Sequence, residues 1–229
     1  MTPDEENAAL ATPEYWNSRY TSSSSSSSSN GGSGSGSTPT HEWFRDYSSL
    51  KPFFRRHFFP HFRAENEPRI VHLGSGDSTV PYDLSSEEGY TNQLCVDFSH
   101  TVVEMMTART KAEAGIEWRC ADVRDLSALL PDESVDVAFD KGTLDAMIHG
   151  SPWSPPEDVL RNTGGYVDEV HRILKPNGVF LYVTYRQPHF VKPLLNRDGK
   201  WRVEMEVLEH EKGGFEYYGF VLRKKAAVW

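Results

Sequence analysis

From Arg69 onward the chain alternates short apolar runs with longer stretches of helical spacing, and no other feature narrows its possible folds as far. Arg69–Leu73 (RIVHL), Gln93–Asp97 (QLCVD), Ile116–Cys120, Ser134–Asp140 (SVDVAFD) and Val179–Tyr185 (VFLYVTY) read as five strands. Between them, Asp77 to Glu88 reads as a helix that tolerates Pro81 in its first turn. Ser99 caps a second helix running to about Ala114, with Val102, Val103 and Met106 on one face. A third helical region opens at Ser151-Pro152-Trp153 and runs to Leu174, where Lys175-Pro176-Asn177-Gly178 stops it. A short helix is expected from Pro188 to Asn196. Such βα alternation requires a parallel sheet covered on both faces. Trp201–Glu209 and Phe215–Arg223 are two further β runs around Glu211-Lys212-Gly213-Gly214, a hairpin signal. The expected fold is a single doubly wound, mostly parallel, seven-stranded α/β sheet with a C-terminal antiparallel hairpin.

The N-terminal part has another character. Residues 1–12 read as a disordered tail and 13–20 (PEYWNSRY) as a short helix with Pro at its start. Residues 21–40 are a Ser/Gly linker of low complexity, unable to bury enough apolar surface to offset its chain entropy. A flexible insertion adds little to the cost of loop closure, so both of its flanks can pack on the domain spanning 41–229. A Phe-rich helix is expected from Ser49 to near Pro60.

Length and charge exclude several classes of function. The 229 residues suit one α/β domain. A net charge of −9 argues against a phosphate backbone as partner. No run of ~18 apolar residues is present to cross a bilayer. The N-terminus lacks the basic start and apolar stretch of a secretory signal. Cys95 and Cys120 stand apart from any Cys/His cluster, so no metal site is expected, and both read as reduced, buried strand residues. No nucleic acid, no membrane and a cytoplasmic location are the expectations that follow, and a monomer is expected.

In a doubly wound sheet, ligands bind beyond the carboxyl ends of the strands. The first strand ends in Gly74-Ser75-Gly76, where two glycines permit a tight turn and bring backbone N–H groups toward a ligand. Thr79 stands where a full dinucleotide fingerprint has its third glycine, which argues against a nicotinamide enzyme. The second strand ends in Asp97, spaced to accept from ribose hydroxyls. The third is followed by Asp122 and Val123, a carboxylate for an amino group beside an N–H for a ring nitrogen. The fourth ends in Asp140, placed to orient a reacting group or take its proton. Each Asp alone is an ordinary cap or loop residue. The series Gly-x-Gly, Asp, Asp, Asp is the signal, and it resembles the class I S-adenosylmethionine methyltransferases, which have a Rossmann-like fold.

Asp140–Ala146 (DKGTLDA) is similar to a motif of the elongation factor 1-alpha lysine methyltransferases, as are Glu14–Tyr20 (EYWNSRY), His41–Leu50 (HEWFRDYSSL) and Arg186–Phe190 (RQPHF). That resemblance covers roughly residues 13–222 without the Ser/Gly insertion. It implies S-adenosylmethionine as cofactor, S-adenosylhomocysteine as product and elongation factor 1-alpha as protein substrate. It further implies that Trp16, Tyr20 and Trp43 close over the cofactor, that Gly74, Ser75 and Gly76 face its methionine end, and that Asp97 and Phe98 hold ribose and adenine. Asp122 and Val123 would read the adenine edge, and Asp140 and Lys141 would contact the cofactor. Asp77 stands where the family has Asn, adding a charge near the cofactor carboxylate or capping a helix. A target lysine must lose a proton with a free pKa of ~10.4. Asp140 and Tyr185 are the expected catalytic residues, with Asp145 and His149 behind them, while His171 reads as a helix-face residue. Three alternatives stay open: a different protein or a small molecule as acceptor, a catalytically silent binding module, and a nicotinamide enzyme.

Overall fold

The chain's computed structural model describes residues 3–26, 42–196, 198–208 and 215–225. The expected runs become strands β1 (Ile70–Leu73), β2 (Gln93–Asp97), β3 (Ile116–Cys120), β4 (Val135–Lys141), β5 (Leu174–Thr184), β6 (Trp201–Leu208) and β7 (Tyr217–Lys224). They form one sheet in the order β3-β2-β1-β4-β5-β7-β6. β1 to β5 are parallel, and β7 alone runs antiparallel, between β5 and the edge strand β6. The winding reverses between β1 and β4, which opens a crevice above their carboxyl ends.

Strand residues alternate between two cores, as a period of two requires. Val71, Leu73, Phe180 and Tyr182 pack with helices α6 (Thr143–Ala146), α7 (Glu157–Ile173) and α8 (Pro188–Leu195) on one face. Ile70, Val179, Leu181 and Val183 pack on the other face with α3 (Tyr47–His57) and α4 (Val80–Glu88). Cys95 and Trp118 meet α5 (His100–Arg109) there too. α3 contributes Leu50, Phe53 and Phe54, each nearly fully buried and worth ~1.5–3 kcal/mol. Its start is fixed by the Asp46 side chain, which accepts from Ser49 N. Ser99 caps α5 in the same way, through Val102 N.

Several boundaries differ from the sequence reading. α4 begins at Val80, not Asp77, because residues 74–79 are used by the turn; Pro81 does fall in its first turn. α5 ends at Arg109, and Ala112–Ala114 form a separate 3-10 turn. β5 begins at Leu174, so the expected Lys175–Gly178 stop lies within the strand, beside a register shift between Val135 and Val137. Pro3–Ala9 form helix α1 where a disordered tail is expected. α2 spans Pro13–Ser26, running past Tyr20 into the serine tract. The rest of the expected linker and the Glu211–Gly214 turn fall outside the described residues. Cys120 is exposed, contrary to expectation; it is the last residue of the edge strand β3.

Candidate active site

A cleft runs across the carboxyl ends of β3, β2, β1, β4 and β5 beneath the N-terminal helices, with about 1360 Å³ of empty space including its mouth. Gly74 and Gly76 shape its floor, at φ 62° and 53°, values that L side chains rarely adopt. A Cβ at Gly74 would strike the Thr143 side chain, and one at Gly76 would lie 2.7 Å from the Tyr20 hydroxyl. Thr143 Oγ1 donates to the Leu73 carbonyl at 2.7 Å, bolting the DKGT segment to the end of β1.

Asp97 sits where the ribose acceptor is expected. Its Oδ2 accepts from Gly76 N at 2.9 Å and its Oδ1 from Ser99 N at 2.8 Å. Burial pushes its pKa up to about 6, against the pull of those N–H groups. One strand over, Asp122 lines the cleft beside Val123 and Phe98. Arg124 grips both Asp122 oxygens, at 2.9 and 3.0 Å from Nε and 2.5 Å from Nη2, and reaches Asn162 Oδ1 with Nη1. Burial opposes ionisation, but the Arg124 hydrogen bonds hold Asp122 below the usual carboxylate range. Arg124 was not expected from the sequence; its place two residues after the acid was the available signal.

Trp16, Tyr20 and Trp43 meet over the cleft as one aromatic group. Trp16 stacks on Tyr20 at 6.0 Å and meets Trp43 edge-on at 5.8 Å. Asn17 Oδ1 accepts from Ser99 Oγ at 2.7 Å, tying α2 to the α5 cap. Lys141 Nζ donates to the Trp43 carbonyl at 2.8 Å and lies 3.8 Å from Glu42 Oε1. Burial lowers its pKa, and Glu42 and Asp77 counter that. Asp77 is buried on the cleft wall.

At the far end the structure corrects the sequence reading. Asp140 is fully buried and does not line the cleft. It accepts from Thr143 N at 2.7 Å, Leu144 N at 3.0 Å and the Tyr166 hydroxyl at 2.7 Å, which ties it to the first turn of α6. Burial pushes its pKa up to about 7. Asp145 takes the place on the wall instead. It accepts from Tyr182 and Thr184 hydroxyls at 2.6 Å each, lies 3.4 Å from Arg186 Nε, and is pushed up to about 6 by burial. Tyr185 lines the mouth and is 48% exposed, with Arg186 Cζ 5.5 Å from its ring centre. His149 pairs with Asp158 at 2.9 Å and His171 packs on Trp201 at 4.9 Å; neither lines the cleft. Phe44 and Arg186 also line the cleft. Both went unnamed as site residues although each lies inside a quoted motif.

The donor set suits an adenosyl ligand: a paired-oxygen acid for a diol, a carboxylate beside an N–H for an adenine edge, aromatic walls, and a floor that only glycine leaves open. Among the described residues no group of three or more His, Cys, Asp or Glu could hold a metal ion, and no helix is long and apolar enough to cross a membrane.

Residues 71–182 match the family described as a methyltransferase domain. The chain is 29% identical to EEF1A lysine methyltransferase 4 of Mus musculus, over 98% of this chain and 80% of that protein. It is 32% identical to EEF1A lysine methyltransferase 4 of Bos taurus, over 81% of this chain and 66% of that one, about two thirds of its length. Among solved structures, a Burkholderia thailandensis 1,6-didemethyltoxoflavin-N1-methyltransferase superimposes with a TM-score of 0.58 over 99% of this chain and 92% of its own, at 16% identity. At that identity the likeness is one of fold.

Proposed function

The chain belongs to the class I S-adenosylmethionine-dependent methyltransferases, and we propose that it methylates a lysine side chain of elongation factor 1-alpha, as a cytoplasmic monomer. The observation that carries the acceptor is its similarity to an EEF1A lysine methyltransferase along nearly the whole chain. The open, half-exposed Tyr185 end of the cleft agrees with it, since a protein side chain must enter from outside.

S-adenosylmethionine, when bound, supplies a methyl group already activated on a sulfonium. The protein's work is therefore alignment and exclusion of water. Asp97 holds the ribose hydroxyls, Asp122 and Val123 read adenine, and Trp16, Tyr20 and Trp43 roof the site. Lys141 holds that roof down through the Trp43 carbonyl. Asp140 acts at one remove, by fixing the loop that carries Lys141, Gly142 and Thr143.

The acceptor amine must arrive neutral. Desolvation and a neighbouring cation both disfavour an ammonium, and Arg186 supplies that cation at the β5 end of the cleft. Asp145 lines the cleft wall at the same end and is the candidate acceptor for the released proton. Tyr185 then positions the amine.

The purified chain, mixed with elongation factor 1-alpha and S-adenosylmethionine, is expected to add methyl groups to one lysine, read by intact mass and peptide mapping. Binding of S-adenosylhomocysteine without methylation would move the acceptor elsewhere. Failure to bind it would leave a silent binding module.

A further inference from the structure

The carboxylate of Asp122 is held by more than the loop that carries it. Asp125 N donates to the Asp122 carbonyl at 3.0 Å, closing a turn, and Ala121 N donates to the Asp97 carbonyl at 3.0 Å, so the two cleft acids share one backbone frame. Arg124 then brings three N–H groups to the Asp122 side chain. Its backbone N and its Nε each donate to Oδ1 at 2.9 Å, with Oδ2 at 3.0 Å from the same Nε, and Nη2 donates to Oδ2 at 2.5 Å. A side-on guanidinium fork fixes the plane of a carboxylate as well as its place. An ionised carboxylate offers about four lone-pair sites, so three donors leave one for a ligand.

Arg124 is anchored in turn. Its Nη1 donates to Asn162 Oδ1 on α7 at 2.9 Å. Leu126 N donates to Glu169 Oε1 on the same helix at 2.6 Å. The loop after β3 is therefore pinned to α7 at two points about two helical turns apart. Arg124 also sets the charge of the acid it holds. On its own loop Asp122 meets Arg124 and Asp125; on β2, Asp97 is turned to Gly76 N and Ser99 N; α7 presents the neutral Asn162. Burial and Asp125 both push Asp122 toward the neutral acid, and only Arg124 opposes them.

We propose that Arg124 is the positioning residue of adenine recognition: tethered to Asn162 on α7, it keeps the Asp122 carboxylate in the orientation that presents its remaining lone pair to the 6-amino group. The proposal rests on the adenine reading of Asp122 above and deepens it. An ionised, fixed acid accepts from an aminopurine and has no proton to offer a 6-oxopurine, so the pair sets the base that the cleft selects.

The test compares S-adenosylhomocysteine with its 6-deamino analogue, in which hydrogen replaces the amino group, by calorimetric titration at pH 7.5 and pH 5.5. The two ligands share ribose, homocysteine and ring nitrogens, so their affinity ratio isolates the 6-amino contact from those of Asp97 and Val123. Wild type is expected to prefer the adenine ligand about tenfold at both pH values, equivalent to about 1.4 kcal/mol. Arg124→Met keeps the apolar stem of the side chain; its ratio is expected to fall to about threefold or less at pH 7.5, and further at pH 5.5 as Asp122 takes up a proton. Asn162→Ala cuts only the tether to α7 and should lower the ratio by about half, equally at both pH values. A wild-type ratio near one overturns the adenine reading of Asp122 and the proposal with it. A wild-type preference that Arg124→Met retains at both pH values, whether or not that variant weakens both ligands together, keeps the adenine reading and overturns the role of Arg124.

Discussion

Asp97→Asn keeps the volume of the side chain and removes one charge and one acceptor oxygen. Two opposed effects act on the fold. With its pKa held at about 6, against ~3.9 for a free aspartate, the ionised carboxylate at pH 7 costs the fold about 3 kcal/mol. The neutral amide recovers that. It also leaves Gly76 N or Ser99 N facing an NH2 group, since each now bonds its own carboxylate oxygen; one such buried mismatch costs about 1–3 kcal/mol. These terms nearly cancel, so the melting temperature at pH 7 should stay within about 5 °C of wild type. Ligand affinity has no such offset. Two ribose hydroxyls lose a charged acceptor, a loss of about 3 kcal/mol or roughly a hundredfold in Kd. The linkage has a definite sign. A carboxyl whose folded pKa is raised contributes stability that is fully present below ~4 and lost as pH rises through about 6. The wild type should therefore gain on the variant as pH falls from 7 to 4. Calorimetric titration with S-adenosylhomocysteine and parallel melts at the two pH values measure both effects. A Kd change under about threefold would refute the ribose assignment, and a fall of more than about 10 °C at pH 7 would refute the cancellation.

The same pKa predicts that wild-type affinity for S-adenosylhomocysteine is up to about tenfold weaker at pH 5 than at pH 7.5, because the ionised carboxylate is the better acceptor; a flat titration profile would count against it. By the same balance Asp140→Asn loses about 1–3 kcal/mol among its three donors but recovers the cost of a buried ionised carboxyl, so its stability at pH 7 should change little in denaturant melts. Because its side chain is off the cleft wall, that variant should bind S-adenosylhomocysteine within about threefold of wild type. Gly76→Ala puts a methyl group 2.7 Å from the Tyr20 hydroxyl at a left-handed φ, and should destabilise by about 1–3 kcal/mol and weaken S-adenosylhomocysteine binding at least about tenfold. Lys141→Met removes the tie to the Trp43 carbonyl, and tryptophan fluorescence should then show a more solvent-exposed roof.

The sequence by itself determined the sheet and the positions of the cleft-lining acids at its strand ends. Period-two apolar runs broken by caps and turns are local signals, and a doubly wound sheet puts whatever follows β1, β2 and β3 at the crevice. Gly74, Asp97 and Asp122 were therefore legible one at a time. What lay beyond them depended on partners distant in the chain. Whether Asp140 or Asp145 faces the cleft is decided by the Tyr166 hydroxyl on α7, which draws Asp140 inward, and by Tyr182 and Thr184, which hold Asp145 on the wall. Cys120 is exposed at the end of the edge strand β3, a position in strand order that no run of residues encodes. The left-handed turn at Phe44 is held by Lys141 and given room by Gly142, nearly a hundred residues on. Spacing along the chain specifies which residues leave a strand together; only packing between elements decides which way each side chain turns once it gets there.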